Sequence, residues 1–193
     1  MFRPLLVKAL SQRNTRWAGT KLGLSKVTIG GYGCAITSLA MLLNAVRGDR
    51  EADPPNVNAA LVGAGAYGGP WSNYVIWEKV PDAFPALMYR GRVMCREKPA
   101  TPSELGEIAW RLSNELPVIL EVDMSVVRSG YQQHFVLAVG RESNGALWIN
   151  DPWDWRATLN WEHKPARLCP RYGSQPEFAV CGVLLFDKFR PGE

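Results

Sequence analysis

The stretch that decides the fold is GGYGCAITSLAMLLNAVRG, residues 30–48. From Cys34 onward its apolar residues recur at the spacing of one helix face, at Ile36, Leu39, Ala40, Leu43 and Val46. Further apolar residues widen this stripe, so we expect a helix that is buried almost all round. Arg47 and Gly48 supply a basic last turn and a glycine stop. The pattern therefore predicts a central buried helix that begins at Cys34.

The glycines before Cys34 determine the chemical setting of that cysteine. Glycine lets another backbone approach closely and leaves backbone N–H groups open. At a helix N-terminus, the dipole and the unpaired N–H groups favour a thiolate over a thiol. A cysteine on an apolar helix is more often a small core residue. The glycine-rich lead-in is what favours a reactive Cys34 here.

The rest of the chain reads as a loop-rich segment, one more helix and several strands. Residues 49–75 contain Pro54-Pro55 and a glycine-rich run, which are typical of loops. A capped helix is predicted from about Thr101 to Glu115. Strands are predicted at residues 118–122, 134–140, 146–150 and 178–186. A helix packed on an antiparallel sheet predicts an α+β fold, with one domain over residues 1–193, helical at about 1–115 and sheet at about 116–190.

Composition excludes several classes of function. At 193 residues the chain fits one domain with a core of its own. The net charge is +4, and because Lys and Arg are scattered we expect no nucleic-acid partner. No apolar run is long enough to span a membrane, and the first residues lack a signal-peptide pattern. We therefore expect a chain that is cytoplasmic as synthesised.

The cysteines and histidines do not form a metal-binding pattern. The four cysteines show no CxxC pairing and the chain has two histidines, so we expect no metal and no cofactor. We expect a reducing compartment and mostly free thiols, with Cys169 and Cys181 the one pair that could form a disulfide. The second histidine, His163, is expected at the surface. Glu121 and Asp123 alternate along a strand and are also expected to be exposed to solvent.

A predicted hairpin brings a histidine and a carboxylate together. The run from His134, the turn at residues 143–145 and the strand at residues 146–150 describe two antiparallel strands. Counting back from the turn puts His134 opposite Asp151 or its neighbours. Either Asp151 or Asn150 can then hold one imidazole nitrogen while the other faces outward, although an Asp before proline is also a common turn residue. A thiolate beside such an imidazole is an activated nucleophile, and Cys34 is the candidate.

Five segments together resemble a known family. They are Gln12, residues 31–43 around Cys34, residues 117–119, residues 134–136 and residues 150–152. Their order and spacing are similar to those of the papain-like cysteine peptidases, from residue 8 to about residue 186. Within them the chain most resembles the double-glycine leader peptidases of bacteriocin exporters and their stand-alone relatives in bacteria and phages. The chain carries no exporter membrane domain, so leader processing during export is not expected to follow from the resemblance.

The resemblance implies a role for each of four residues. Cys34 would be the nucleophile, His134 the general base and acid, and Asp151 the orienting residue. Gln12 would donate to the oxyanion beside the Cys34 backbone N–H. The expected function is hydrolysis of peptide bonds through a covalent thioester, with a peptide or protein as substrate. Three alternatives stay open: cleavage of the peptide part of peptidoglycan, acyl transfer by the same triad, and a non-catalytic binding module with this fold.

Overall fold

The helix that begins at Cys34 packs against one face of a six-stranded antiparallel sheet, in a computed structural model. The structure describes residues 3–47, 52–95, 98–124, 130–154, 165–169 and 171–189. Gly48 and His163 lie outside these described residues. The helices are α1 (Ile29–Tyr32), α2 (Cys34–Arg47), α3 (Pro54–Gly63), α4 (Val80–Ala83), α5 (Pro102–Ser113) and α6 (Pro176–Ala179). The strands are β1 (Tyr67–Gly68), β2 (Tyr74–Val75), β3 (Leu87–Met94), β4 (Val118–Asp123), β5 (Gln133–Arg141), β6 (Leu147–Asn150), β7 (Ala166–Arg167) and β8 (Gly182–Lys188).

The sheet has the strand order β3-β8-β4-β5-β6-β7, and strands β1 and β2 form a separate pair. Side chains alternate between its two faces, which gives two apolar clusters. One cluster joins α2 to residues such as Ile119, Leu137 and Leu184. The other lies on the α5 side and contains Leu120 and Val136. This arrangement confirms the α+β fold and places the start of α2 beside the start of β5.

The two long helices follow their local signals closely. Helix α2 is buried along almost its whole length, as its apolar stripe predicts. Helix α5 begins with a capping box, in which the Thr101 hydroxyl accepts from the Glu104 N–H and the Glu104 carboxylate accepts from the Thr101 N–H. None of the helices among the described residues has the length and apolar character needed to cross a bilayer.

Three predictions about the fold are wrong. Residues 49–75 are not simply a loop, because α3 begins at Pro54 with the Asp53 side chain as its N-cap. The last strand does not begin at residue 178, because Phe178 lies in α6 and the strand begins only at Gly182. The part of the chain expected to be helical contains β3, which pairs with β8 at the edge of the sheet.

The cysteines are free, and the one pair considered for a disulfide is not joined. No disulfide joins any of the four cysteines, all of which lie among the described residues. Cys169 lies just after β7, and Cys181 lies just before β8. The register of the sheet instead brings Cys181 beside Cys95, whose N–H donates to the Cys181 carbonyl at 2.8 Å.

Candidate active site

Cys34 is the first residue of α2, and the glycines before it let the chain turn tightly into the helix. The Gly33 N–H donates to the Ile29 carbonyl at 2.7 Å. A Cβ added at Gly33 would lie 2.6 Å from that carbonyl oxygen, and one added at Gly30 would lie 2.8 Å from the Ala18 oxygen. Both distances are shorter than a carbon atom tolerates, so the predicted close approach of the backbone is confirmed at these two positions.

His134 lies near the start of β5 and is almost completely buried, with 2% of its surface exposed. Its Nε2 atom is 2.8 Å from Asp151 Oδ1. The ladder between β5 and β6 pairs Leu137 with Asn150, and Asp151 follows as the first residue beyond the strand. The predicted meeting of His134 with a neighbour on the second strand is therefore present, with the carboxylate as the partner.

Asn150, the alternative partner of the imidazole, is used elsewhere. Its side-chain amide donates to the Val7 carbonyl at 3.0 Å. The side chain is fully buried, and its Oδ1 atom has no hydrogen-bonding partner among the described residues. Asn150 therefore ties the N-terminal segment to the sheet, while Asp151 contacts the histidine.

Four groups surround the Asp151 carboxylate. Oδ1 accepts from His134 and from the Trp153 N–H at 2.8 Å. Oδ2 accepts from the Tyr172 hydroxyl at 2.5 Å and lies 2.7 Å from Arg171 Nη2. Burial by itself would raise the pKa of Asp151, but the hydrogen bond and charge of His134 and the charge of Arg171 lower it to about 2. The carboxylate is therefore ionised throughout the neutral range.

The same contacts hold a proton on His134. Burial by itself would lower the pKa of this imidazole, but its contacts with Asp151 and Cys34 raise the pKa to about 9. Because Nε2 is taken by Asp151, Nδ1 is the ring nitrogen that is left for Cys34. An imidazolium at this position places a positive charge next to a half-buried thiol.

Gln12 connects the segment that carries Asp151 with the segment that leads into Cys34. Its backbone N–H donates to the Pro152 carbonyl at 2.9 Å, just after Asp151. Its side-chain amide donates at 3.1 Å to the carbonyl of Gly30, four residues before Cys34. The side chain is 1% exposed, and its Oε1 atom has no partner among the described residues.

A cleft of about 830 Å³ opens over these residues. Cys34, His134 and Gln12 line it, with Trp77, Arg92 and Trp153 among the other lining residues. Its size is in the range of ordinary ligand pockets. The structure therefore brings together all four residues singled out in the sequence, with three on the cleft and Asp151 behind the histidine.

Two neighbours of Asp151 have no signal in the sequence. Arg171 and Tyr172 follow a short strand, and neither their spacing nor their setting indicates a site. Tyr172 is 4% exposed, and its ring centroid lies 5.9 Å from that of His134. The Arg171 guanidinium lies 5.5 Å from the Tyr172 ring centroid. The contacts of these two side chains with Asp151 could be found only from the fold.

The predicted exposure of Glu121 is wrong. Its side chain is fully buried, and it accepts hydrogen bonds from Arg92, Tyr131 and Gln133. Asp123, the second carboxylate on this strand, is partly exposed. The prediction failed because the partners of Glu121 come from β3 and from the segment before His134.

A comparison with known families points the same way as the geometry. Residues 4–173 match the model of the Peptidase_C39 like family. The match takes in Gln12, Cys34, His134 and Asp151, and it reaches Arg171 and Tyr172. No curated protein matches the chain.

Proposed function

Since the chain belongs to the Peptidase_C39 like family, and is thus a papain-like cysteine peptidase, we propose that it cleaves peptide bonds with a Cys34–His134–Asp151 triad. The observation that carries this proposal is the buried His134, which contacts Asp151 on one side and lines the same cleft as Cys34. The cleft over Cys34 and His134 supplies the space that a peptide needs.

The first step forms a thioester. The Cys34 sulfur attacks the carbonyl carbon of the scissile peptide bond, and the carbonyl oxygen becomes an oxyanion. The Gln12 side-chain amide and the Cys34 N–H are the donors proposed to stabilise that charge. When the tetrahedral intermediate collapses, the C–N bond breaks and His134 gives its proton to the leaving amine.

The second step releases the acid. Neutral His134 accepts a proton from a water molecule as the water oxygen attacks the thioester carbonyl. The new tetrahedral intermediate breaks its C–S bond, and the carboxylic acid product leaves. Cys34 and protonated His134 are then ready for the next substrate. Asp151 keeps its charge throughout and holds the imidazole in one orientation.

Replacement of the nucleophile tests this proposal. Cys34→Ala should abolish turnover of every substrate while leaving the fold intact, because the half-buried side chain becomes only slightly smaller. Cys169→Ala is the matched control, since Cys169 is also half-buried and lies outside the cleft. Circular dichroism and cleavage of a peptide library, followed by mass spectrometry, give the two readouts. Turnover that survives in Cys34→Ala would refute the proposed nucleophile.

A second assay identifies the class of substrate. A protein or peptide substrate is favoured by the family, and peptidoglycan was the alternative expected from the sequence. Purified cell walls in a zymogram and a denatured protein mixture should be compared side by side, each with wild type and Cys34→Ala. Addition of a free amine nucleophile to the same reactions shows whether the thioester passes to water or to another acceptor.

A further inference from the structure

A second charged cluster lines the same cleft and takes no part in the proposed chemistry. At its centre is the fully buried Glu121 carboxylate, which accepts from Arg92, from the Tyr131 hydroxyl and from the Gln133 amide at 3.0 Å. Arg92, Tyr131 and Gln133 all line the cleft beside His134. A buried carboxylate is costly unless it is paired and hydrogen-bonded, so these donors account for its presence there.

The sheet is built so that Arg92 can reach Glu121. Arg92 lies on β3 and Glu121 on β4, with β8 between them. Glu121 pairs in register with Gly182 of β8. A Cβ added at Gly182 would lie 3.2 Å from Glu121 Oε2 and 3.1 Å from the Val93 carbonyl oxygen. The missing side chain at Gly182 therefore leaves the room in which the guanidinium and the carboxylate meet.

The guanidinium of Arg92 keeps part of its binding capacity for the cleft. An arginine has five N–H donors, and Arg92 uses Nη2 on Glu121. Its Nε atom is buried, so it cannot reach a substrate, but 26% of the side chain is exposed and Arg92 lines the cleft. Glu121, in contrast, is too deeply buried to touch a substrate. Glu121 fixes the orientation of the guanidinium, and Arg92 presents it to the cleft.

Another arginine in this chain shows that one guanidinium can serve two carboxylates. Arg111 Nε lies 2.7 Å from Glu107 and Arg111 Nη1 lies 2.9 Å from Asp187. Arg92 has one such partner in Glu121 and also lines the cleft, which is where a second carboxylate would reach it.

We propose that Arg92 is a specificity-determining residue that binds a carboxylate of the peptide substrate, either an acidic side chain or the free C-terminus. The inference rests on the proposed function, because it assumes that peptides occupy this cleft. A charge-assisted hydrogen bond in such a site favours the carboxylate over a neutral amide by roughly 10- to 100-fold in rate. Selectivity of that size is measurable in kcat/KM.

The test uses pairs of peptides that differ in one charge. In each pair Glu is exchanged for Gln at a single position, and each peptide is made with a free and with an amidated C-terminus. The wild type should cleave one carboxylate-bearing member roughly 10- to 100-fold faster than its neutral partner. In Arg92→Gln this ratio should fall to about 1, and in Arg92→Lys it should be intermediate, because lysine lacks the planar fork. Arg90→Gln is the matched control on the same strand, since Arg90 pairs with Asp187 and lies outside the cleft, and it should keep the wild-type ratio.

A double variant tests whether misfolding explains the effect of Arg92→Gln. Arg92→Gln leaves Glu121 buried without its cation, so the double variant Arg92→Gln/Glu121→Gln removes both charges and keeps hydrogen-bonding side chains at both positions. It should fold and should also lose the preference. Glu121→Gln alone keeps an amide oxygen that can accept from Arg92, so the preference should persist. A merely structural ion pair would change all substrates equally.

The outcomes separate this inference from the proposed function. Equal cleavage of both members of every pair by the wild type overturns the inference alone. The inference is also overturned if Arg92→Gln slows the cleavage of both members of a pair equally and leaves the ratio of their kcat/KM values unchanged. A preference that follows the Glu position identifies a side chain as the ligand, and one that follows the free terminus identifies the C-terminal carboxylate. A wild type that cleaves no peptide at all, while Cys34 stays unreactive towards iodoacetamide, overturns the proposed function itself.

Discussion

Replacement of Asp151 by asparagine should disable the site through the histidine rather than through loss of shape. The carboxylate accepts on both oxygens: His134 and the Trp153 N–H donate to Oδ1, and Tyr172 donates to Oδ2. Arg171 lies 2.7 Å from Oδ2. An asparagine has one oxygen and one NH₂ group at these positions.

Neither orientation of the new amide satisfies all these partners. With its oxygen towards His134, its NH₂ group faces the Arg171 guanidinium, which cannot accept a hydrogen bond. With its NH₂ group towards His134, the amide faces two other donors, which are the imidazolium N–H and the Trp153 N–H. A buried unsatisfied donor costs about 1–3 kcal/mol, so the variant should lose stability of that order.

The larger effect is on the protonation of His134. An opposite charge within hydrogen-bonding distance changes a pKa by about 1–3. Without the carboxylate, the pKa of His134 should fall from about 9 to roughly 6–8. At pH 8 roughly nine tenths of the wild-type molecules hold an imidazolium, against roughly one tenth if the pKa falls to about 7. The alkaline limb of kcat/KM should move to lower pH by the same amount.

NMR of the histidine rings measures this without a substrate. The chain has two histidines, so a labelled sample gives two ring spectra, and His134→Gln assigns them. Asn150→Ala is the matched control, because Asn150 is equally buried and bonds to Val7 rather than to His134. It should lower stability and leave the pKa of His134 near 9. An unchanged pKa in Asp151→Asn would refute the reasoning that the carboxylate holds the proton on the ring.

Three further predictions follow from the same site. Gln12→Ala removes one proposed oxyanion donor, so kcat should fall by roughly 10²–10³ with little change in KM, as steady-state kinetics would show; an unchanged kcat would remove Gln12 from the mechanism. Gly33→Ala should destabilise the protein in urea unfolding, because its Cβ would lie 2.6 Å from Ile29, whereas Gly31→Ala, with its nearest atom at 3.7 Å, should not; equal effects would contradict the packing argument. The contribution of protonated His134 to the free energy of unfolding should be complete below about pH 6.5 and lost as the pH rises through about 9, because the folded state binds that proton more tightly; His134→Gln should abolish this slope in unfolding experiments at a series of pH values.

Elements with strong local signals could be predicted from the sequence. Helix α2 follows from its apolar period, α5 from its capping box, and the hairpin of β5 and β6 from a short turn between apolar runs. Helix α3 is the exception, because the pair Pro54-Pro55 is also typical of a loop. Proline at the first positions of a helix, after an Asp that caps it, is also a normal helix start.

Features that depend on distant partners could not be predicted. Glu121 alternates with apolar residues as an exposed side chain would, but Arg92, 29 residues earlier, pairs with it. Tyr172 reaches Asp151 across 21 residues that carry no motif. Gln12 was singled out by the resemblance alone, and the fold places it in the cleft through contacts with Gly30 and Pro152. Long-range pairing, rather than local propensity, decides these positions.

The reactivity of Cys34 at pH 6 tests the central claim most directly. Iodoacetamide labelling followed by mass spectrometry compares it with Cys95 and Cys169, whose pKa values burial raises, that of Cys95 to about 11. A thiolate paired with protonated His134 should react at least roughly tenfold faster than these thiols, and His134→Ala should abolish the difference. A Cys34 that reacts no faster than Cys169, or that reacts equally fast without His134, would contradict a cysteine–histidine catalytic pair.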